Sequence, residues 1–116
     1  MPSVGRITDM EQVTMIGIFS VGTPERQDDM IAAIDTTGAV MRDQPGFRGA
    51  AVYASTDGTR VVNISHWDST EDLLAARENP AGLEPARRMF EIAMPDPIQC
   101  VLRSEYLSPS PPADEG

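Results

Sequence analysis

The segment Arg60–Asp72 reads RVVNISHWDSTED and changes from a strand pattern to a helix start. Its β-branched first half favours a strand, and Ser69 followed three residues later by Asp72 resembles a capping box. Because side chains alternate along a strand, Asn63, Ser65 and Trp67 share one face and His66 lies on the other. Asparagine is disfavoured in mid-strand, so this face is either a candidate site or a polar spot on an exposed surface.

The residues before this segment predict the other strand of a β-hairpin. Phe47–Ser55 is the strand, and Asp57-Gly58 suits a tight two-residue turn with left-handed dihedral angles. With that turn Val52 lies opposite Asn63 and Arg48 lies opposite Trp67, whereas a longer loop would shift the register. Small residues between the large ones on the shared face leave room for a flat ligand, or let a helix pack closely. That face carries Arg48, Ala50, Val52, Ala54, Val61, Asn63, Ser65 and Trp67.

The remaining elements complete the order strand, helix, strand, strand, helices, strand. Apolar residues on both faces of the first strand indicate that the sheet is covered on both sides. The order is that of the split βαβ, ferredoxin-like α+β fold with an antiparallel four-stranded sheet. The predicted elements are a strand at Val13–Val21, a helix opened by Thr23-Pro24 and ended by Asp43–Gly46, a short helix from Ser69 to Asn79, a helix opened by Pro85 with an apolar stripe of Ala86, Phe90 and Ala93, and a strand at Ile98–Leu107.

The length of 116 residues predicts one domain, which we place at 12–107 between a flexible N-terminal arm at 1–11 and a disordered tail at 108–116. Helices are expected on one face of the sheet. The other face includes Tyr53, Val62 and Ile64. It is too apolar to remain exposed to solvent, so we expect a homodimer that buries it. The opposite assignment of the two faces is also compatible with the sequence.

Composition excludes several classes of partner and site. A formal net charge of −9 and an isoelectric point near 4.3 argue against nucleic acid and against anionic membrane surfaces. One cysteine, Cys100, and one histidine, His66, exclude an internal disulfide and a multi-histidine or multi-cysteine metal site. The carboxylates have the spacing of a solvated helix face, so no metal is expected. We find no signal core and no run long enough to cross a bilayer, and we expect a cytoplasmic protein.

Part of the chain resembles a known family. The runs Pro45-Gly46-Phe47, Tyr53–Thr59, Val61-Val62-Asn63 and Trp67-Asp68-Ser69 are similar to the antibiotic biosynthesis monooxygenases, and most similar to their branch of small cofactor-free anthrone oxygenases from aromatic polyketide pathways. The resemblance is specific from Pro45 to Ser69, and element order extends it over residues 12–107. It implies the dimeric α+β barrel, which agrees with the fold expected above from the residues.

The resemblance also implies an activity. It is the oxidation of an anthrone-like aromatic polyketide to a quinone with O2, without metal, flavin or haem. The functional asparagine and tryptophan of that branch fall on Asn63 and Trp67, which are our candidate catalytic residues. The candidate substrate-binding residues are Arg48, Val52, Ser65, Leu73, Arg87 and Phe90.

Some features depart from the family pattern or leave alternatives open. Leu73 stands where some relatives carry a tyrosine, and either Arg87 or Arg88 could match an arginine of the last helix. The residues that haem-degrading members need are absent. Asn63 and Trp67 could also be structural, and His66 is more suited to an interface than to acting as a base. The alternative functions are a polyketide cyclase on the same fold and a non-catalytic binder of an aromatic ligand.

Overall fold

The structure, a computed structural model, describes residues 12–109 and contains four strands and three helices in that range. The predicted arm and all but the first two residues of the predicted tail lie outside the described residues. The elements in chain order are β1 (Val13–Ser20), α1 (Pro24–Met41), β2 (Phe47–Ala54), β3 (Arg60–Trp67), α2 (Thr70–Arg77), α3 (Pro80–Ile92) and β4 (Pro95–Cys100).

The four strands form one antiparallel sheet in the order β2-β3-β1-β4. This topology confirms the predicted ferredoxin-like α+β fold. All three helices pack over the sheet face that carries Asn63 and Trp67, which decides between the two face assignments that the sequence left open. Within the described range no helix is long and apolar enough to cross a membrane.

The predicted cap holds the start of α1. Thr23 accepts a hydrogen bond from the backbone N–H of Arg26, and Pro24 takes the first helical position. The Arg26 side chain then donates to the carbonyl oxygens of Val21 and Ile92, so this cation joins the β1–α1 turn to the end of α3. Met30 and Ile34 of the predicted apolar stripe are buried at 0% and 4% exposure.

The turn of the hairpin keeps the predicted register through a different loop. Val52 pairs with Asn63 as predicted, but the Ser55 N–H donates to the Arg60 carbonyl, so the loop has four residues, Thr56–Thr59. Gly58 has a φ of 83°, whereas Asp57 has a negative φ and accepts hydrogen bonds from Ser55 and Thr59. The predicted two-residue primed turn is therefore wrong. The four-residue loop leaves the register intact because it is centred on the same Asp57-Gly58 pair and opens only the predicted pair of Thr56 with Thr59.

A β-bulge at the open end of the hairpin breaks the register. Phe47 pairs with Trp67 and Gly49 with His66, so Arg48 is the extra residue. The predicted pairing of Arg48 with Trp67 is wrong. The bulge turns Phe47 inward and lets the Arg48 guanidinium contact the Asp68 carboxylate at 2.9 Å on the surface.

Three element boundaries near the C-terminus also differ from the prediction, and one of them is the start of β4, which is Pro95 rather than Ile98. Helix α3 begins at Pro80 rather than Pro85, because the Asn79 side chain accepts from the Ala81 N–H and Pro80 suits the first helical position. Pro85 lies inside the helix. Strand β4 ends at Cys100 rather than Leu107. Cys100 pairs with Thr14, next to the first residue of β1, so the residues after Cys100 have no strand to pair with.

The core consists of two clusters rather than one. The larger cluster lies at the turn end of the hairpin and contains Phe19, Val21, Met30, Ala33, Ile34, Val61, Met89 and Ile92. The smaller cluster lies at the open end and contains Val13, Trp67, Leu73 and Ala76. The helices therefore contact the sheet tightly at both ends, and the space between the clusters becomes the candidate site.

Candidate active site

A cavity of about 970 Å³ lies between the sheet and the helices, and members of both clusters line it. Phe19 and Met89 border it on one side, and Trp67 and Leu73 border it on the other. Pockets that hold small ligands have volumes of about 300–1,000 Å³. The cavity is large enough for a molecule of several fused rings.

The sequence of the two central strands explains why the core is interrupted there. The inward positions of β3 are Val61, Asn63, Ser65 and Trp67, so two apolar residues flank two polar ones. On β1 the residue paired with Asn63 is Gly17. Glycine and short polar side chains do not fill the layer between sheet and helices, so the sequence itself leaves the cavity.

Asn63 presents its side-chain amide to this cavity. It is partly buried, and none of the described side-chain hydrogen bonds uses it. A buried amide ordinarily has a hydrogen-bond partner, because leaving it without one costs about 1–3 kcal/mol. The two amide hydrogens of Asn63 are thus available to a ligand.

Trp67 is both a core residue and a wall of the cavity. It is only 2% exposed, and its ring meets the Phe47 ring edge-on at a centroid distance of 5.2 Å. Its indole N–H donates to the Ser65 hydroxyl oxygen at 3.0 Å. Since a hydroxyl has one hydrogen and two acceptor positions, Ser65 can accept from Trp67 and still donate into the cavity.

The structure brings most of the predicted site residues together. Val52, Asn63, Ser65, Trp67, Leu73 and Phe90 all line the cavity. Arg48 and Arg87 do not line it: the bulge moves Arg48 to Asp68, and Arg87 pairs with Glu84 on the exposed side of α3 at 3.4 Å. Both residues therefore lie away from the cavity wall, and their contact with a substrate stays a prediction.

Sequence reasoning missed several wall residues. Phe47 lines the cavity only because of the bulge, and the sequence contains no turn signal that predicts this bulge. Met15 and Arg77 also line the cavity, and the Arg77 Nη2 lies 3.5 Å from the Met15 sulfur. The inward position of Met15 followed from strand alternation, but the position of Arg77 depends on where α2 crosses the sheet.

His66 lies on the opposite sheet face, as predicted. Its Nδ1 is 2.9 Å from the Thr14 hydroxyl on the neighbouring strand. The bulge lies in β2, so the alternation between Asn63 and Trp67 is unbroken and His66 does not reach the cavity. Residues 12–109 also hold no group of three or more histidine, cysteine or carboxylate side chains placed to bind a metal ion.

Comparison with known proteins identifies the family. The model of the antibiotic biosynthesis monooxygenases matches residues 13–84, which is more than half of the chain. The chain belongs to this family. The matched residues include β1, α1, the whole hairpin and α2, and so include Asn63, Ser65, Trp67 and Leu73.

Individual members of the antibiotic biosynthesis monooxygenase family agree with this assignment. Tetracenomycin-F1 monooxygenase of Streptomyces glaucescens is 26% identical over 98 residues, which cover 84% of this chain and 88% of that protein. A monooxygenase from the gene ActVA-Orf6 of Streptomyces coelicolor, solved with the ligand nanaomycin D, is 25% identical with a TM-score of 0.74, covering 86% of this chain and 94% of that one.

A third relative shares the fold at lower identity. SnoaB of Streptomyces nogalater, a cofactor-independent oxygenase, has a TM-score of 0.67 at 22% identity, covering 86% of this chain and 99% of that one. The family model and the similarity to tetracenomycin-F1 monooxygenase show that the chain is an enzyme of the monooxygenase class.

Proposed function

We propose that this protein is a cofactor-independent monooxygenase that oxidises an anthrone-like aromatic polyketide to a quinone with O2. The observation that carries the proposal is the Asn63 amide, which has no partner among the described hydrogen bonds and stands on the wall of a largely apolar cavity beside Trp67. An apolar cavity with a few convergent polar groups is typical of a site for a flat, mostly apolar substrate.

The substrate supplies the electrons in this reaction. Loss of a proton from the ring methylene gives a delocalised anion, which passes one electron to O2. The resulting radical and superoxide combine to form a C–O bond, and the peroxide loses water to leave a carbonyl. The balance is one CH2 group and one O2 converted to one C=O group and one water. The protein must position the rings, exclude water and stabilise the negative charge on the ring oxygen.

Asn63 provides the charge stabilisation in this scheme. Its amide hydrogens donate to the ring oxygen as the methylene proton leaves, and this bond strengthens as charge develops there. Ser65 provides a second donor, held in orientation because its oxygen accepts the Trp67 N–H. Trp67 therefore acts through Ser65 and as a flat wall for the rings, because its own N–H is already used.

The test is aerobic incubation of the purified protein with a dihydroxyanthrone and no added cofactor. We expect quinone to form above the spontaneous rate, and we expect Asn63→Ala to lower kcat/KM by about 10²–10³. The control is Thr36→Ala, which removes a polar group from the exposed side of α1 and should leave turnover unchanged. Each variant is checked for folding by thermal denaturation.

Two results would overturn the proposal. One is a quinone yield no greater than the spontaneous yield, and the other is full activity in Asn63→Ala. Repeating the incubation without O2 separates the oxygenase from a cyclase, since a cyclase would still convert a polyketide precursor. Ligand binding without turnover would indicate a binding protein.

We also propose that the enzyme is a homodimer formed through the outer face of the sheet. Tyr53 and Ile98 are 57% and 44% exposed there, beside the partly exposed Ile16, Val62 and Ile64. A face this apolar favours association with another apolar surface. Light scattering should give twice the chain mass, and Ile64→Glu should lower that mass without removing the fold. A wild-type mass equal to one chain would contradict the proposal.

A further inference from the structure

Arg77 places a cation on the wall of the cavity. It is the last residue of α2, and its Nη2 lies 3.5 Å from the sulfur of Met15. Met15 pairs directly with Ser65 in the β1–β3 register. Asn63 lies two residues before Ser65 on β3, so the sheet position nearest the guanidinium is one inward position from Asn63.

The charge of Arg77 is not neutralised by an ion pair among the described residues. Three exposed arginines are paired in the described range, Arg48 with Asp68, Arg87 with Glu84 and Arg88 with Glu91. Arg42, which also lines the cavity, shares with Arg77 the lack of a described ion pair, but only Arg77 has a described contact with an inward residue of the sheet, Met15. The described contact of the Arg77 guanidinium is the Met15 thioether, which is a weak acceptor. In a chain with a formal net charge of −9, this leaves a guanidinium with most of its donors available at the cavity.

The chemistry of that position suits a carboxylate. A guanidinium is a planar fork that binds a carboxylate through two parallel hydrogen bonds. Arg77 is an exposed residue of the cavity lining, which suits contact with a permanently ionised group, whereas Asn63 is more buried and suits the oxygen on which charge develops. We propose that Arg77 binds an ionised carboxylate on the substrate, so that the substrate class is an aromatic polyketide acid.

This inference rests on the proposed function, which supplies the aromatic ring system of the substrate, and Arg77 adds the carboxylate. The experiment compares a dihydroxyanthrone with the same anthrone bearing a ring carboxylate, by KM in the aerobic assay. In parallel, the two corresponding quinones are titrated against the fluorescence of Trp67, the single tryptophan. The titration measures binding whether or not turnover occurs.

We expect wild-type protein to prefer the acid in both assays. Arg77→Gln should raise KM and Kd for the acid by about 10- to 100-fold, the usual range for a hydrogen bond to a charged group, and leave both constants for the neutral compound unchanged. Arg77→Lys should keep part of the preference. The control is Arg60→Gln, which changes the net charge equally at an exposed residue outside the cavity and should keep the full preference.

Equal affinity of wild-type protein for the two compounds would overturn the inference, as would an equal loss for both in Arg77→Gln, which would mean that Arg77 only packs on Met15. The two proposals fail separately. Turnover without a preference for the acid would contradict the Arg77 proposal and leave the oxygenase proposal standing. Arg77-dependent binding of the acid without O2-dependent turnover would contradict the oxygenase proposal and leave the Arg77 proposal standing.

Discussion

Two side-chain amides in different parts of the inner layer have opposite surroundings. Gln27 lies near the hairpin turn, is 7% exposed, and donates to the carbonyl oxygens of Ser55 and Arg60 at 3.0 and 2.9 Å. Asn63 lies in the middle of β3 against the cavity, and no described hydrogen bond uses its side chain. The same functional group therefore holds the fold together at one place and faces a ligand site at the other.

The difference between the amides follows from the packing around them. The larger cluster surrounds the turn end with Met30 and Val61, both at 0% exposure, so any polar group there must be satisfied within the protein. Between the clusters Gly17 and Ser65 leave space, and an amide can keep its donors for a substrate. A polar side chain without a hydrogen-bond partner therefore indicates a ligand site only where the surrounding residues also leave space for a ligand.

The largest change in stability is expected from truncation of a side chain in the larger cluster, at the packed end of the inner layer. Met30→Ala should lower the free energy of unfolding by about 2–5 kcal/mol, because it leaves a cavity in a fully packed region. Urea denaturation measures the change. The control, Leu74→Ala, truncates a side chain of α2 that is 46% exposed and should cost much less. A similar loss in both variants would mean that the turn end is not tightly packed.

The second prediction exchanges each amide for an apolar residue of similar size. Gln27→Leu should lower the free energy of unfolding by about 1–3 kcal/mol, since two hydrogen bonds that each contribute about 0.5–1.5 kcal/mol are lost. Asn63→Leu should leave stability equal or higher and abolish most turnover, because it adds apolar surface where no internal bond is lost. Denaturation and the aerobic assay on both variants check this. Destabilisation by Asn63→Leu would mean that the amide has a structural partner.

The smallest effect concerns the charge in the hairpin loop. Hydrogen bonds from the Thr59 side chain, the Ser55 hydroxyl and the Thr59 N–H lower the pKa of Asp57 from 3.8 to about 2. The folded state thus binds the proton more weakly than the unfolded state. The ionised carboxylate stabilises the fold above about pH 4, and this contribution is lost as the pH falls to about 2.

Asp57→Asn should flatten the dependence of Tm on pH between about 4 and 2 and leave the rest of the curve parallel to that of the wild type. The effect should be small, because the loop is exposed and water screens the charge. The control is Asp28→Asn on the exposed side of α1. A curve for Asp57→Asn that falls as steeply as the wild-type curve in this window would contradict the prediction.

Local chemistry alone determined much of this protein. Caps at Thr23 and Ser69 fix two helix starts, and the alternation of β3 places Asn63, Ser65 and Trp67 on one face and His66 on the other. The hairpin register near Val52 also followed from the sequence, because Asp57-Gly58 lies at the centre of the loop whether the loop has two residues or four. These features depend on interactions within a few residues, which the sequence displays directly.

Tertiary structure decided what depends on the meeting of distant elements. The bulge at Arg48 brings Phe47 to Trp67, and the packing of α2 against the sheet brings Arg77 to Met15. The end of β4 at Cys100 is likewise decided by where its partner strand begins. Bulges and helix crossings minimise the free energy of the whole layer and leave no short-range signal. The sequence therefore determined the face that carries Asn63, and only the packed structure decided which cations line the same cavity.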